Sequence, residues 1–396
     1  MLGNRNPKGV LTSVLIPFSA LSLDGRRKGE GEKRVLSRRA AIVALICCFL
    51  VATGFTYQLA LPGRQISLPA DHYSHPNFKI EWWYYTGHLK TESGKRYGYQ
   101  VTFFRFGLRD RQSEIKEKAP LFTDLYMAHF ALSDLAHKKF LFRERINRGY
   151  GERAGAATDR YLVWNEDWKV EGNDKNHAIQ VNDRGTELRL RLTSLKRPAL
   201  HGDNGLSQKG EGEGRASYYY SLTRMKTEGE ITVSGKTEKV TGMSWMDHEF
   251  GSNQLQEDQI GWDWLSLQLD NESEIMLYLI RYKDGSADPY SSGTVINPDG
   301  TTKHLALKDF QVGVLERWKS PKSGATYPMR WKVTIPSEQI DLDIVPEFPD
   351  QELITNRSTR VTYWEGAARI TGTMRNKPIA GEGYVEMTGY AGKLKM

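Results

Sequence analysis

The chain has 396 residues, with 55 Lys+Arg against 48 Asp+Glu and a formal net charge of +7. Residues 1–64 hold ten Lys/Arg and three Asp/Glu and so carry the whole excess; the balanced remainder lacks the basic face that a nucleic-acid partner needs. Ten Trp and 19 Tyr beside 15 Pro suit aromatic-lined sheets, and no long stretch has a 3.6-residue apolar period, so helices are expected to be few and short.

Residues 1–39 are basic, polar and Gly-rich and read as disordered, with the true start expected near Val35. Ala40 to Leu61 is an uncharged run of 22 residues behind Lys33, Arg34, Arg38 and Arg39. It reads as a signal peptide, with Ala52-Thr53-Gly54 as a cleavable pattern, or as an uncleaved membrane anchor. Both readings place residues 65–396 in the periplasm or otherwise outside the cytoplasm, secreted or anchored to the inner membrane. Ser37-Arg38-Arg39 resembles a twin-arginine start. The two cysteines, Cys47 and Cys48, lie inside the apolar run. The exported part therefore has no disulfide, thiolate metal site or cysteine nucleophile. Lipid attachment at Cys47 is disfavoured by the bulky Ile46 before it.

Leu68 to Phe78, with His72 and His75, reads as an extended lead-in. Ile80-Glu81-Trp82-Trp83-Tyr84-Tyr85 then turns through Glu92-Ser93-Gly94 and returns as Tyr97 to Arg105, a hairpin pattern. Further strands are expected at Tyr126–Asp134, Tyr161–Trp164, Trp168–Val170, Ala178–Val181, Glu187–Leu192, Tyr218–Met225, Glu230–Val233 and Val240–Phe250. Residues 195–216 read as a flexible Gly-rich loop, and Ser252–Gln259 as a linker. The hairpin recurs 180 residues later as Ile260-Gly261-Trp262-Asp263-Trp264-Leu265, returning through Ile275 to Arg281. Gly242-Met243-Ser244-Trp245-Met246-Asp247 recurs 139 residues later as Gly381-Glu382-Gly383-Tyr384-Val385-Glu386. Such internal repetition fixes architecture. The expected fold is all-β, with two tandem antiparallel β-barrel domains at 70–251 and 260–396.

On a strand, alternate side chains face opposite ways. Trp82, Tyr84, Thr86 and His88 share one face, and Trp83, Tyr85 and Leu89 the other. Trp245, Asp247 and Glu249 share a face opposite Met246, His248 and Phe250, so Asp247-His248-Glu249 cannot clamp one metal from a regular strand. The nine histidines read as scattered, and no metal or cofactor is expected. Gly242-Met243-Ser244-Trp245-Met246 lacks the last glycine of a nucleophile elbow. Asp247 has the acidic counterpart Glu386, which suggests a shared structural role. His248 faces Met387 in the alignment of the copies, and Asp263 faces Trp83; these departures single out His248 and Asp263, although a satisfied core histidine is the alternative for His248. The candidate catalytic set is thus His248, Asp263 and Asp247. The candidate ligand-binding set is Trp82, Tyr84, His88, His129, Phe250, Trp262 and Trp264.

Glu81-Trp82-Trp83-Tyr84-Tyr85-Thr86-Gly87-His88-Leu89, Gly98 to Arg105, His129-Phe130-Ala131-Leu132-Ser133-Asp134 and Trp245-Met246-Asp247-His248-Glu249-Phe250-Gly251 resemble the AttH/CrtC family, over about residues 70–396. That family includes carotenoid 1,2-hydratases (hydroxyneurosporene synthases) and many predicted secreted hydrolases. The resemblance implies two lipocalin-like barrels, a hydrophobic small-molecule ligand, and for exported bacterial members an association with an ABC export system. Related fungal proteins of similar fold shape polyenes for cyclisation. The hydratase pattern has His-x-Trp followed by Tyr-x-Asp; here His248-Glu249-Phe250 keeps the histidine, Phe replaces Trp, and Asp263 is the nearest following acid. Two functions are therefore expected: hydration or hydrolysis of an isoprenoid- or polyene-like ligand, or a non-enzymatic accessory role in an ABC export system.

Overall fold

Two-residue alternation of burial marks some strands, such as Thr186–Ser194 and Ile340–Pro346, whereas others, such as Ile80–Thr91 and Asp124–Asp134, are buried almost continuously because both of their faces are covered. The computed structural model describes residues 57–108, 123–252 and 255–392. Among these the helical content is three short 3₁₀ turns, Ala70–His72, Leu307–Asp309 and Pro336–Glu338. None of the described helices is long and apolar enough to cross a membrane.

The first sheet opens with β1 (Ile80–Thr91), β2 (Arg96–Gly107), β3 (Asp124–Asp134) and β4 (Lys139–Arg148). Shorter strands follow: β5 (Ala154–Ala156), β6 (Tyr161–Asn165), β7 (Trp168–Gly172), β8 (Asn176–Asp183) and β9 (Thr186–Ser194). After β10 (Ala199–Leu200) and β11 (Leu206–Gln208), the long strands β12 (Ala216–Val233) and β13 (Lys236–Gly251) finish it. The second sheet comprises β14 (Gln259–Leu269), β15 (Glu274–Tyr282), β16 (Ser292–Ile296), β17 (Thr302–Ala306) and β18 (Gln311–Lys319). It ends with β19 (Thr326–Ile335), β20 (Ile340–Pro346), β21 (Glu352–Ile354), β22 (Thr362–Met374) and β23 (Lys377–Met387).

Strand order in the first sheet is β4-β3-β2-β1-β13-β12-β9-β8-β7-β6-β5, and in the second β17-β16-β15-β14-β23-β22-β20-β19-β18. The two orders share one plan: the opening hairpin pairs with the closing strand of its own unit. The echo read from the sequence therefore marks equivalent places, with β1 and β13 matching β14 and β23. The fold is all-β with two barrel-like sheets, one nearly closed and one a half-barrel. Side chains close the first: Arg145 Nη1 donates to the Asn165 carbonyl at 3.0 Å and Asn147 Nδ2 to Asn165 Oδ1 at 2.7 Å.

Each sheet curls round its own core. Trp83, Tyr85, Tyr99, Phe103, Phe130 and Trp168 fill the first, and Leu265, Leu277, Trp331, Leu342 and Trp364 the second. Burial of each such side chain contributes about 1.5–3 kcal/mol. A third cluster joins the outer walls of the two sheets through Tyr84, Tyr219, Trp245, Trp264, Tyr278 and Tyr384. Gly98 permits that approach, because a Cβ there would stand 2.8 Å from the Ala367 methyl and 2.9 Å from the Tyr384 hydroxyl.

Two expectations change. The two strands expected at Tyr218–Met225 and Glu230–Val233 are one strand, β12, because Lys226 to Gly229 stay paired in register with Met243 to Val240; the register shift lies earlier, between Leu222 and Met225. The segment 195–216 is not a free loop, since β10 and β11 both hydrogen-bond to β12. Residues 1–39, expected to be disordered, and most of the apolar run 40–61 lie outside the described residues. Of its last residues, Ala60 is buried with Phe78, Tyr218 and Phe250, and the Leu61 amide donates to the Tyr218 hydroxyl at 2.9 Å.

Candidate functional site

Where the outer walls meet, they leave a cavity of about 140 Å³. Strand alternation decides which side chains enter it. From the first sheet come Trp82 and Tyr84 on β1, Thr102 and Phe104 on β2, His129 on β3, Tyr219 on β12, and Asp247 and Glu249 on β13. The second sheet supplies Trp262, Trp264, Tyr278, Ile280, Tyr363, Glu365, Glu386 and Thr388, and Lys209 enters from the segment after β11. Tyr84 lies opposite Asp247 in the β1–β13 ladder, and Trp264 lies opposite Glu386 in the β14–β23 ladder. The repeat thus builds the cavity twice, presenting one ring and one carboxyl from each sheet.

The carboxyls hold an unusual electrostatic state. Asp247 accepts from the Trp245 indole at 2.6 Å, the Tyr219 hydroxyl at 2.7 Å and the Ser221 hydroxyl. Burial nevertheless outweighs these donors and pushes its pKa up to about 7. Burial likewise raises Glu386 to about 8, opposed by the Trp262 indole and reinforced by the charges of Asp247 and Glu249. Glu365 is pushed well above the usual carboxylate range by burial and then by Glu386. Glu365 and Glu386 are direct cross-strand partners on β22 and β23, so both ionising together would set like charges side by side in a dry site. The Tyr84 hydroxyl crosses from the first sheet to donate to Glu365 Oε1 at 2.5 Å. Lys209 stays charged: burial opposes the ammonium, but Glu249, 3.2 Å away, outweighs it. The arrangement therefore offers carboxylic acids still protonated near neutral pH beside aromatic faces, the requirement for protonating an apolar ligand.

The structure divides the residues singled out from the sequence. Asp247, Trp82, Tyr84, His129, Trp262 and Trp264 line the cavity. His129 is held by the Tyr363 and Ser358 hydroxyls, each at 2.8 Å, and burial drops its pKa to about 3. His248 lies on the opposite face, inside the first barrel, which corrects the expectation that its face lines the ligand cavity. There Nε2 meets Glu81 Oε1 at 3.0 Å, Nδ1 meets the Tyr220 hydroxyl at 3.0 Å, and the ring stacks on Trp83. Phe250 shares that face and stacks on His75 with centroids 3.6 Å apart. Asp263 sits inside the second sheet, bound to Arg281 Nε at 3.0 Å and the Tyr390 hydroxyl at 2.9 Å. His88 is on the cavity side of β1 but beyond the cavity, with Nε2 on the Gly383 carbonyl at 3.0 Å. Departure from the repeat picked out His248 and Asp263 because each fills a different barrel interior, and interiors diverge freely between copies. The acids that the copies share are those that meet between the sheets.

The histidines that read as scattered converge once the strands pair. Asp71, His75, Glu81, His248, Tyr220 and His72 form one hydrogen-bonded chain inside the first barrel. Donor atoms of His75, Glu81 and His248 come within 4.8 Å of one another, close enough to suggest a metal. They already bond each other, however, and Arg105 Nε lies 3.0 Å from Glu81, so a cation there would face a guanidinium. We therefore assign this cluster a structural role. His248→Phe should lower stability by about 1–3 kcal/mol, since Tyr220 and Glu81 each lose a buried partner; urea unfolding checks this, and an unchanged midpoint would contradict it.

Sequence reading missed Glu365, Tyr363, Tyr219 and Lys209, and took Glu386 only as a structural echo. A signal for three of them was present. Tyr219 to Ser221 and Tyr363 to Glu365 occupy matching positions beside Asp247 and Glu386 in the two closing ladders, an echo too short to stand out without the strand pairing.

An AttH-like family model matches residues 59–390. A solved chain from Nitrosomonas europaea, described as an AttH candidate, is 34% identical with a TM-score of 0.75, covering 84% of this chain and 99% of its own. Kievitone hydratase from Nectria haematococca is similar in fold, at 17% identity and a TM-score of 0.63, covering 85% of this chain and 95% of its own. A curated kievitone hydratase from Fusarium solani subsp. phaseoli is 22% identical over 220 residues, which is 54% of this chain. The match spans 60% of that relative's length.

Proposed function

This chain belongs to the AttH-like family, and on that footing we propose that its inter-barrel cavity binds a hydrophobic unsaturated small molecule and adds water to it. One observation carries this reading: the buried Glu365–Glu386 pair, held protonated beside Tyr84, Trp262 and Trp264. In the proposed step the acid gives its proton to one alkene carbon and becomes a carboxylate. The cationic carbon left behind is stabilised by the ring faces. Water adds to that carbon, and the proton it sheds returns to the carboxylate, restoring the acid. Atoms and charge balance without a cofactor. The name of the hydratase relatives supports the reaction class, and the paired acids support the chemistry; neither identifies the ligand.

Extraction of the purified protein followed by mass spectrometry should recover an apolar unsaturated molecule. Incubating that molecule with the protein in ¹⁸O-labelled water should give a product heavier by one labelled water. Binding with no such product would favour the alternative, a non-enzymatic accessory of a membrane export complex. Recovery of no ligand and no product would contradict both.

Export is part of the same proposal and rests on the apolar run behind Arg38 and Arg39. A reporter fused after Leu68 should be active only outside the cytoplasm. Full cytoplasmic activity would refute it.

A further inference from the structure

We infer that the cavity between the barrels is built to hold a positive charge on its ligand, and takes organic ammonium ions in preference to neutral molecules of the same shape. This deepens the ligand-cavity reading above and rests on it. The first ground is an imbalance between acids and bases. Asp247, Glu249, Glu365 and Glu386 all line the cavity, and Lys209 is the one Lys or Arg among its lining residues. Lys209 pairs with Glu249 at 3.2 Å, which leaves Asp247, Glu365 and Glu386 with no ion-pair partner among the described residues.

Glu365 differs from the buried carboxylates elsewhere in the chain. Glu81 has Arg105, Asp263 has Arg281, and Glu274 has Lys196 and Arg224. Asp288 and Glu352 lack a cation but are each surrounded by several hydroxyl or amide donors. Glu365 is buried, yet it accepts only the Tyr84 hydroxyl on one oxygen; the other oxygen has no hydrogen-bond partner among the described residues. A carboxyl in that state lacks a positive partner, which the bound molecule can supply.

The second ground is that the cavity wall already seats an ammonium. Lys209 Nζ lies 4.1 Å from the Tyr278 ring centroid and 5.2 Å from that of Tyr219. Trp82, Trp262 and Trp264 offer further ring faces to the same space. Indole faces are the best cation hosts among side chains, and burial strengthens the attraction. A site complementary to a transient carbocation also favours a stable cation that mimics it.

Choline and 3,3-dimethylbutan-1-ol provide the probe, because they share one shape and differ by nitrogen in place of carbon. Their affinities should be measured by calorimetry on the full chain from pH 6 to pH 9. Asp247 faces Tyr219, Ser221, Trp245 and Tyr84, Glu386 faces Glu365, Glu249, Tyr363 and Trp262, and Lys209, Tyr278 and the neutral His129 complete the charged and titratable surroundings. Ionisation of Asp247 near 7 and Glu386 near 8 therefore sets the pH response. At pH 9 choline should bind about tenfold more tightly than the alcohol, and the ratio should shrink toward pH 6 as both acids take up protons. Glu386→Gln should narrow the ratio at pH 9. If the alcohol binds as well as choline at pH 9, the charge preference is wrong and the hydrophobic cavity stands. If neither probe binds, the cavity reading fails together with this inference.

Discussion

Arg105→Met is expected to cost about 3–5 kcal/mol of folding stability, because it strips the cation from a buried ion network. Arg105 is fully buried. Its Nε lies 3.0 Å from Glu81 Oε2 and its Nη1 2.8 Å from Asp124 Oδ1. Nη2 donates to the His75 carbonyl at 2.8 Å and the Phe78 carbonyl at 2.6 Å. One side chain thus ties the lead-in to β1, β2 and β3. Burial by itself would raise Glu81, but His75, His248 and Arg105 together hold it well below the usual carboxylate range. A depressed carboxylate contributes stability above its unfolded pKa and loses it as pH falls through the folded one. Removing Arg105 raises that folded value, so the variant should also lose stability at a higher pH on acidification. Urea unfolding between pH 4 and pH 7 measures both effects. A loss under about 1 kcal/mol would show that Glu81 is held by its histidines alone.

Glu365→Gln and Glu386→Gln are expected to separate activity from stability. If these acids supply the proton in the proposed hydration, each variant should lose about 10²–10⁴-fold in turnover. Stability should move the other way. A carboxyl whose folded pKa is raised keeps a proton that the unfolded chain releases, so it weakens the fold as pH rises from the unfolded value toward the folded one. For Glu386 that window runs from 4.5 to about 8. Glutamine carries no such penalty, so the Glu386→Gln variant should melt higher than the parent at pH 8 and nearly equal to it at pH 4. At about 2.1 cal/mol/K of unfolding entropy per residue, each kcal/mol relieved corresponds to roughly 1–2 °C in a chain of this length. Calorimetric melting at both pH values, with turnover measured in parallel, checks the pairing. A variant that melts lower at pH 8 would mark Glu386 as a structural acid.

Much of the architecture was legible because the repeat is written in large aromatic residues. Trp82 and Trp262, and Asp247 and Glu386, mark equivalent places in the two ladders although the second unit is the shorter one. Period-two alternation also separated Asp247 from His248 correctly. It could not say which face was which. A barrel has an inner and an outer wall, and aromatic residues occupy both here, so only tertiary packing shows that the inner wall is a filled core. The sequence rule that favoured differences between copies then selected His248 and Asp263, which are fixed by Glu81 and Arg281 within separate barrels. Lys209 was hidden in a Gly-rich stretch whose two short strands pair with β12 and contact the second sheet, neither of which the sequence announces. Glu365 lacks an acidic counterpart, since Ser221 holds the equivalent place beside Asp247.

The most direct test is the position of a bound ligand, so a crystal structure of the protein with its co-purified molecule is the measurement to make. The account predicts density between the sheets, in contact with Tyr84 and Trp264 and within reach of Asp247, Glu365 and Glu386. Density inside the first barrel, beside Trp83 and His248, would contradict it.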